Sequence, residues 1–186
     1  MEKGEKEAKS TKRLNLVTGA CGFTGSHLVK KLLENGQKVI ATDLARAFEH
    51  PKNQMIFKNI GLDFSHRNCK VTPADLTDRE SLRELFKQPV THVFHTASLY
   101  DYSAPMSILE KINIDGFTNL ADIAVEQKSI KRFIHWSTCG VFGKPYTAKY
   151  GNVCNIPFSE DGCSTPRNTH SDRTNRMALT WLMIIP

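Results

Sequence analysis

Three glycines, Gly19, Gly22 and Gly25, stand three residues apart directly after a short apolar run, Leu14-Asn15-Leu16-Val17-Thr18. The run is β-compatible, and a helical pattern with Phe23, Leu28, Val29, Leu32 and Leu33 inward follows at once. Glycine lets a backbone turn tightly off a strand and approach a phosphate with no Cβ in the way. The helix start then presents unpaired N–H groups and the positive end of its dipole. Strand, glycine-rich turn and helix together describe a cradle for a dinucleotide. The spacing is GxxGxxG rather than GxGxxG, so the context has to carry part of the reading.

The context is a second strand, Lys38 to Asp43, which follows the helix stop Asn35-Gly36 and ends in an acid 18 residues beyond Gly25. A ribose hydroxyl needs its acceptor roughly 20 residues after such a turn. A carboxylate there accepts both ribose hydroxyls of NAD and repels the extra phosphate of NADP. NAD is therefore favoured over NADP, although Arg46, three residues on, could partly offset the repulsion.

The remaining elements must hold these groups in place. Leu44 to Met55 contains Pro51 and reads as a short helical turn and loop. A strand resumes near Cys69 to Thr72. Thr77-Asp78-Arg79-Glu80 has the form of a capping box opening a helix with Leu82, Leu85 and Phe86 inward. Val90 to Ser98 reads as a buried parallel strand, Met106 to Lys128 as a long helix with Ile108, Ile112, Leu120, Ile123 and Ala124 inward, and Ile130 to Thr138 as the next strand. Strand–helix alternation with short connections predicts an α/β fold, a doubly wound parallel sheet of Rossmann type. Its ligand crevice lies at the carboxyl ends of the strands, where every motif singled out here falls.

The chain has 186 residues, a formal net charge of +6 and five cysteines. Residues 1–13 are charged and nearly devoid of apolar side chains, and are expected to be a disordered tail; residues 14–186 are expected to form one dinucleotide-binding domain. The tail lacks the apolar core of a signal peptide, and no apolar run approaches the roughly 18 residues of a membrane span. The cations form no stripe interleaved with aromatics, which disfavours nucleic acid as a partner. Cys21, Cys69, Cys139, Cys154 and Cys163 lack metal-ligand spacing and read as reduced thiols, with no metal site, in a cytoplasmic protein.

Several ordered motifs between residues 14 and 143 resemble the extended short-chain dehydrogenase/reductases, the NAD-dependent epimerase/dehydratase family with its 3β-hydroxysteroid dehydrogenase-like members. Gly19-Ala20-Cys21-Gly22-Phe23-Thr24-Gly25 is similar to the TGxxGFxG cofactor loop. Asp75-Leu76 resembles the family's DL pair, whose acid receives the adenine amino group; as a bare residue, Asp75 could equally stabilise its own turn. Val93 to Ser98 (VFHTAS) is similar to VxHxAA, which implies that Thr96, Ala97 and Ser98 lie beside the cofactor and that His95 has a lining role at most. Asn113 to Leu120 resembles NVxGTxNL; Asn113 is mildly unfavourable inside a helix and calls for a compensating bond. Phe133 to Gly143 resembles the strand ending SSxxVYG, which implies that the Thr138 hydroxyl polarises a substrate carbonyl. Ser137 and Thr138 could otherwise bond neighbouring backbone.

The resemblance implies an oxidoreductase- or epimerase-type activity on a hydroxyl or keto group of a steroid-like or nucleotide-sugar-like molecule. One element departs from it. The family's YxxxK pair supplies a phenol whose pKa an ammonium lowers. On Ser171 to Leu179 the aligned positions hold Ser171 and Asn175, or His170 and Thr174 in the neighbouring register. Only His170, with an ordinary pKa near 6.5, could stand in. The second expectation is thus a catalytically inactive dinucleotide-binding module, a sensor or a scaffold. The apolar end Ala178 to Pro186 stops where the family continues into a substrate lobe. A truncated form, with that C-terminal lobe missing, is expected, and a homodimer is left open.

Overall fold

The computed structural model describes residues 13–101 and 103–137. Five strands follow in order: β1 (Leu14–Thr18), β2 (Lys38–Thr42), β3 (Cys69–Val71), β4 (His92–His95) and β5 (Arg132–His135). All pairings are parallel, in the order β3-β2-β1-β4-β5. The order reverses between β2–β1 and β4, which places a crevice above the carboxyl end of β1. The doubly wound Rossmann-type sheet is therefore as the alternation predicts.

Both faces of the sheet are covered, and the alternation along β1 shows how. Leu16 joins Ile40, Val93, Leu82, Leu85, Leu120 and Ile123 in one buried cluster. Val17 joins Val39, Ala41, Val29, Leu32, Leu33 and Phe57 in the other. α1 (Phe23–Glu34) and α3 (Pro51–Ile60) cover the second face; α4 (Arg79–Leu85) and α6 (Gly116–Val125) cover the first. Burying a Leu, Val or Phe side chain contributes about 1.5–3 kcal/mol, so each cluster clamps the sheet without help from charge.

Four local expectations need correction. Residues 44–55 are not a turn and loop: they hold α2 (Ala45–Glu49) and the start of α3, because Pro51 sits in the first turn of α3, where its missing N–H costs nothing. The capping box at Thr77 is not formed. Asp78 caps α4 by accepting from the Glu80 amide, while Thr77 is drawn off to Asp75. The long helix expected over 106–128 is α5 (Met106–Glu110), a π-helical turn (Lys111–Asp115) and α6, ending at Val125. Finally, Phe23 is 79% exposed and leans on His27 outside the core, and Ile108 is exposed as well.

Among the described residues no helix is long and apolar enough to cross a membrane. The charged tail, Cys139, Cys154, Cys163, Thr138, His170, Ser171 and Asn175 lie outside the described residues, apart from Arg13, which donates to Asn15 Oδ1 (2.9 Å).

Candidate dinucleotide crevice

The glycine turn is built by backbone contacts that leave no room for side chains. Gly19 lies in the left-handed region at φ +69°, and a Cβ there would stand 2.7 Å from the backbone of Ala97. A Cβ on Gly25 would fall 2.0 Å from the Gly19 carbonyl oxygen. These two glycines therefore close the turn. Gly22 differs: its backbone is extended (φ −73°, ψ 170°), and a Cβ would meet only the Gly19 carbonyl oxygen, at 3.3 Å. Its open side faces a cavity of about 460 Å³. Beyond it, the amides of Phe23, Thr24 and Gly25 have no acceptor among the described residues, whereas the Ser26 amide donates to the Gly22 carbonyl. Three free N–H groups at a helix start, beside a side-chain-free edge, fit a diphosphate.

Asp43 lines the cavity one residue past β2. Its Oδ2 accepts from the Cys21 amide (3.0 Å) and its Oδ1 from the Leu44 amide (2.8 Å). The carboxylate is thus anchored, and each oxygen keeps a lone pair for a ligand hydroxyl. Burial first, and this carboxylate second, push the Cys21 thiol well above its ordinary pKa, so Cys21 is an unreactive neutral group. Burial, with Asp63 nearby, raises the Cys69 thiol to about 11. Both are free cysteines, and no cluster of metal-ligating side chains occurs among the described residues. Thr42, also on the cavity wall, carries a buried hydroxyl without a partner, an unfilled polar position on the floor.

The opposite walls are apolar with polar tips. Leu44, Ala74, Leu76 and Leu82 form one side, with Asp75 among them; Leu99, Ile108 and Ile112 form the other. Arg46 and Lys111 add positive charge at the mouth. Asp75 spends Oδ1 on the amide (2.8 Å) and hydroxyl (2.8 Å) of Thr77, which makes it the turn acid, with Oδ2 left over for a ligand. Asn113 answers the question its helical position raised. Its Oδ1 accepts from the Leu99 amide (2.7 Å) and the Ser98 hydroxyl (3.1 Å), and its Nδ2 donates to the Leu99 carbonyl (3.0 Å). The π-helical turn carries this side chain, and the bonds pin the 98–99 segment to it.

Of the sequence-derived residues, Gly19, Gly22, Asp43, Asp75, Leu76, Thr96, Ala97 and Ser98 all line the cavity. Cys21, Phe23, Thr24 and Gly25 do not: the Cys21 side chain is buried, the Phe23 ring points to solvent, and Thr24 and Gly25 offer backbone N–H groups only. His95 is not a lining residue. It is 2% exposed in the core, where its Nδ1 meets Thr18 Oγ1 at 2.7 Å. Burial, with His135 adding a smaller push, lowers its pKa to about 3, so it is neutral. Sequence reasoning missed Thr42, Leu44, Ala74, Leu82, Leu99, Ile108 and Ile112 among the wall residues. Only the positions of Thr42 and Leu44 beside Asp43, and of Ala74 beside Asp75, offered a signal.

A parallel sheet ordered 3-2-1-4-5, with a glycine turn and a strand-end acid at the switch point, defines the class of dinucleotide-binding α/β domains. Residues 15–171 match the NAD dependent epimerase/dehydratase family. The chain belongs to that family, whose cofactor is NAD. It is 36% identical over 124 residues to vestitone reductase of Medicago sativa, covering 66% of this chain and 37% of the relative. It is 32% identical over 168 residues to UDP-N-acetyl-alpha-D-glucosaminuronate decarboxylase of Bacillus cytotoxicus, covering 85% of this chain and 49% of that one. Among solved structures, UDP-glucose 4-epimerase of Thermotoga maritima superposes with a TM-score of 0.71 at 27% identity, over 91% of this chain and 50% of the epimerase. The chain thus spans about half or less of the length of these relatives.

Proposed function

We propose that the crevice binds NAD and that the domain serves an oxidoreductase- or epimerase-type reaction at a hydroxyl or keto carbon of a small molecule. In this reading the turn Gly19 to Gly25 holds the diphosphate, with Cys21, Phe23 and Thr24 contributing backbone only. Asp43 takes the ribose hydroxyls, and Leu44, Ala74, Asp75 and Leu76 enclose the adenine. Thr96, Ala97 and Ser98 form the wall toward the reacting end. NAD, when bound, supplies hydride acceptance at the substrate carbon; everything else falls to the chain. Thr138 is assigned the hydrogen bond to a substrate carbonyl, and residues 14–186 are assigned to the cofactor-binding domain. A nucleotide-sugar is the substrate class that the decarboxylase and epimerase relatives support, and a steroid-like alcohol is the class that the motif resemblance adds.

The observation that carries the reading is Gly22. It is a residue at ordinary φ whose missing side chain serves no fold contact and opens onto free helix-start amides. The anchored Asp43 carboxylate makes NAD the expected partner over NADP, since a 2′-phosphate would meet its charge.

A second reading, a binding module without turnover, is favoured by Ser171 and Asn175 at the positions of the family's tyrosine and lysine. Polarisation by Thr138 without a proton donor leaves an alkoxide unquenched, and general acid–base help contributes about 10²–10⁴-fold. His170, which precedes Ser171 in the sequence, is the candidate donor. The test is a titration of the full chain with NAD, followed by a hydride-transfer assay on hydroxysteroid and sugar-nucleotide substrates. Binding without turnover is expected. Turnover abolished by His170→Ala would assign that histidine the proton, and absence of NAD binding would end both readings.

A further inference from the structure

One polar row crosses the sheet just beneath the crevice. Thr42, Thr18, His95 and His135 are register neighbours on β2, β1, β4 and β5, all on the sheet face that also carries Ile40, Leu16, Val93 and Phe133. The centre of this row does something the ends do not. Thr18 Oγ1 meets His95 Nδ1 at 2.7 Å and also accepts from the Ala97 amide, at 3.4 Å. The Thr18 carbonyl accepts from both the amide (3.3 Å) and the hydroxyl (2.6 Å) of Thr96. Gly19, next along β1, is packed so tightly on Ala97 that a Cβ would stand 2.7 Å from its Cα and N. The glycine turn and the 96–99 segment therefore meet at Thr18.

The proton positions follow from counting donors. The Thr18 hydroxyl has one hydrogen, and its oxygen already receives the Ala97 N–H. If His95 Nδ1 also carried a proton, the oxygen would receive two donors and its own hydrogen would need a further acceptor; none is recorded among the described residues. Every bond of the Thr18 hydroxyl closes when Nδ1 carries the lone pair and accepts the hydroxyl hydrogen, which leaves the ring proton on Nε2, where no acceptor is recorded among the described residues. A charged ring would put a second proton on Nδ1 and break it, and deep burial keeps the ring neutral.

We propose that His95 is a positioning residue. As its neutral Nε2–H tautomer it orients the Thr18 hydroxyl, and that hydroxyl locks the glycine turn to the Ala97 segment so that both walls of the crevice stand at the spacing a dinucleotide requires. His95 touches no ligand in this arrangement; it acts through Thr18. The effect on affinity rests on the crevice being the NAD site, whereas the lock itself does not.

The experiment uses the full chain and has two independent arms. The first needs no ligand. Long-range nitrogen–proton correlation spectra should show His95 protonated at Nε2 and bare at Nδ1. Amide exchange at Ala97 should quicken in Thr18→Val and stay slow in Thr18→Ser. An Nδ1–H tautomer, or unchanged exchange in Thr18→Val, would overturn the proposal whatever the crevice binds. The second arm is NAD titration. His95→Leu should weaken binding about fivefold, the size of one buried hydrogen bond. His95→Asn, whose amide oxygen can take the place of Nδ1, should recover most of it. Thr18→Val/His95→Leu should be no worse than the more affected single variant, because both remove one interaction. Asn failing to rescue while its far-ultraviolet spectrum stays native, or additive losses in the double variant, would refute the positioning role. A wild-type chain that ignores NAD would instead defeat the functional reading and leave the first arm to decide the lock.

Discussion

Gly22→Val separates binding from folding at one atom. Gly22 has an extended backbone that any residue adopts, so valine introduces no φ strain. Its Cβ would approach only the Gly19 carbonyl oxygen, at 3.3 Å, a contact relieved by a few tenths of an ångström. Stability should therefore change by less than about 1 kcal/mol, partly because removing a glycine also restricts the unfolded chain. A valine side chain at this cavity-lining position would occupy space proposed for the diphosphate. Forcing extra methyl groups into a filled site costs about 1–3 kcal/mol, which is about 10- to 100-fold in Kd. Calorimetric titration with NAD measures the loss. Thermal unfolding without ligand confirms an intact fold, and unfolding at saturating NAD should lose most of the roughly 2.7 kcal/mol that a ligand at a hundred times its Kd contributes. Gly25→Ala is the contrast, since its Cβ would sit 2.0 Å from the Gly19 oxygen and the turn itself should fail. Equal NAD affinity in wild type and Gly22→Val would refute the assignment of the diphosphate to this turn.

Three further outcomes are expected. Asp43→Asn removes the charge but keeps one acceptor for the Cys21 or Leu44 amide, so the NAD/NADP affinity ratio should narrow with Arg46 free to meet the phosphate; a wild type that prefers NADP contradicts the role given to Asp43. Asn113→Leu deletes three bonds to Ser98 and Leu99, and should cost about 2–3 kcal/mol and speed exchange at the Leu99 amide; an unchanged Leu99 amide would show that the clamp is idle. Burial lowers His95 to about 3 and His135 to about 4, so the unfolded chain takes up protons first as pH falls. Their stabilising contribution is complete above pH 6.5 and is lost progressively toward pH 3–4, at up to about 1.4 kcal/mol per pH unit for each ring. Urea midpoints should thus fall steeply between pH 6 and 4; a flat profile there would show that these rings are not held neutral.

What was legible in the sequence was local chemistry. The glycine turn, the strand Lys38–Thr42 leading to Asp43 and the alternation of elements depend on neighbours within a few residues, and each appears within a residue of where its pattern placed it. What was hidden depended on distant partners or on competition between equivalent groups. Thr77 and Asp78 are both able caps, and Asp75 decided between them by taking the Thr77 hydroxyl. Pro51 looks the same in sequence whether it ends a helix or begins one. The purpose of Asn113 is set by Leu99, 14 residues back. Ile108 and Ile112 carry the same helical spacing as Leu120 and Ile123, yet they line the crevice and stand outside the core clusters. The resemblance gives His95 a lining role at most, and only the cross-strand register with Thr18 places it in the core.

A dinucleotide is proposed to lie along the start of α1 and the end of β2. Amide chemical-shift mapping of the full chain during an NAD titration tests this directly. The largest saturable shifts should fall on Gly22, Phe23, Thr24 and Gly25, with a second group at Leu44 and Leu76 to Thr77. Saturable shifts confined to the opposite edge of the sheet, around Arg13, Lys38 and Arg132, or no shifts at millimolar NAD, would contradict it.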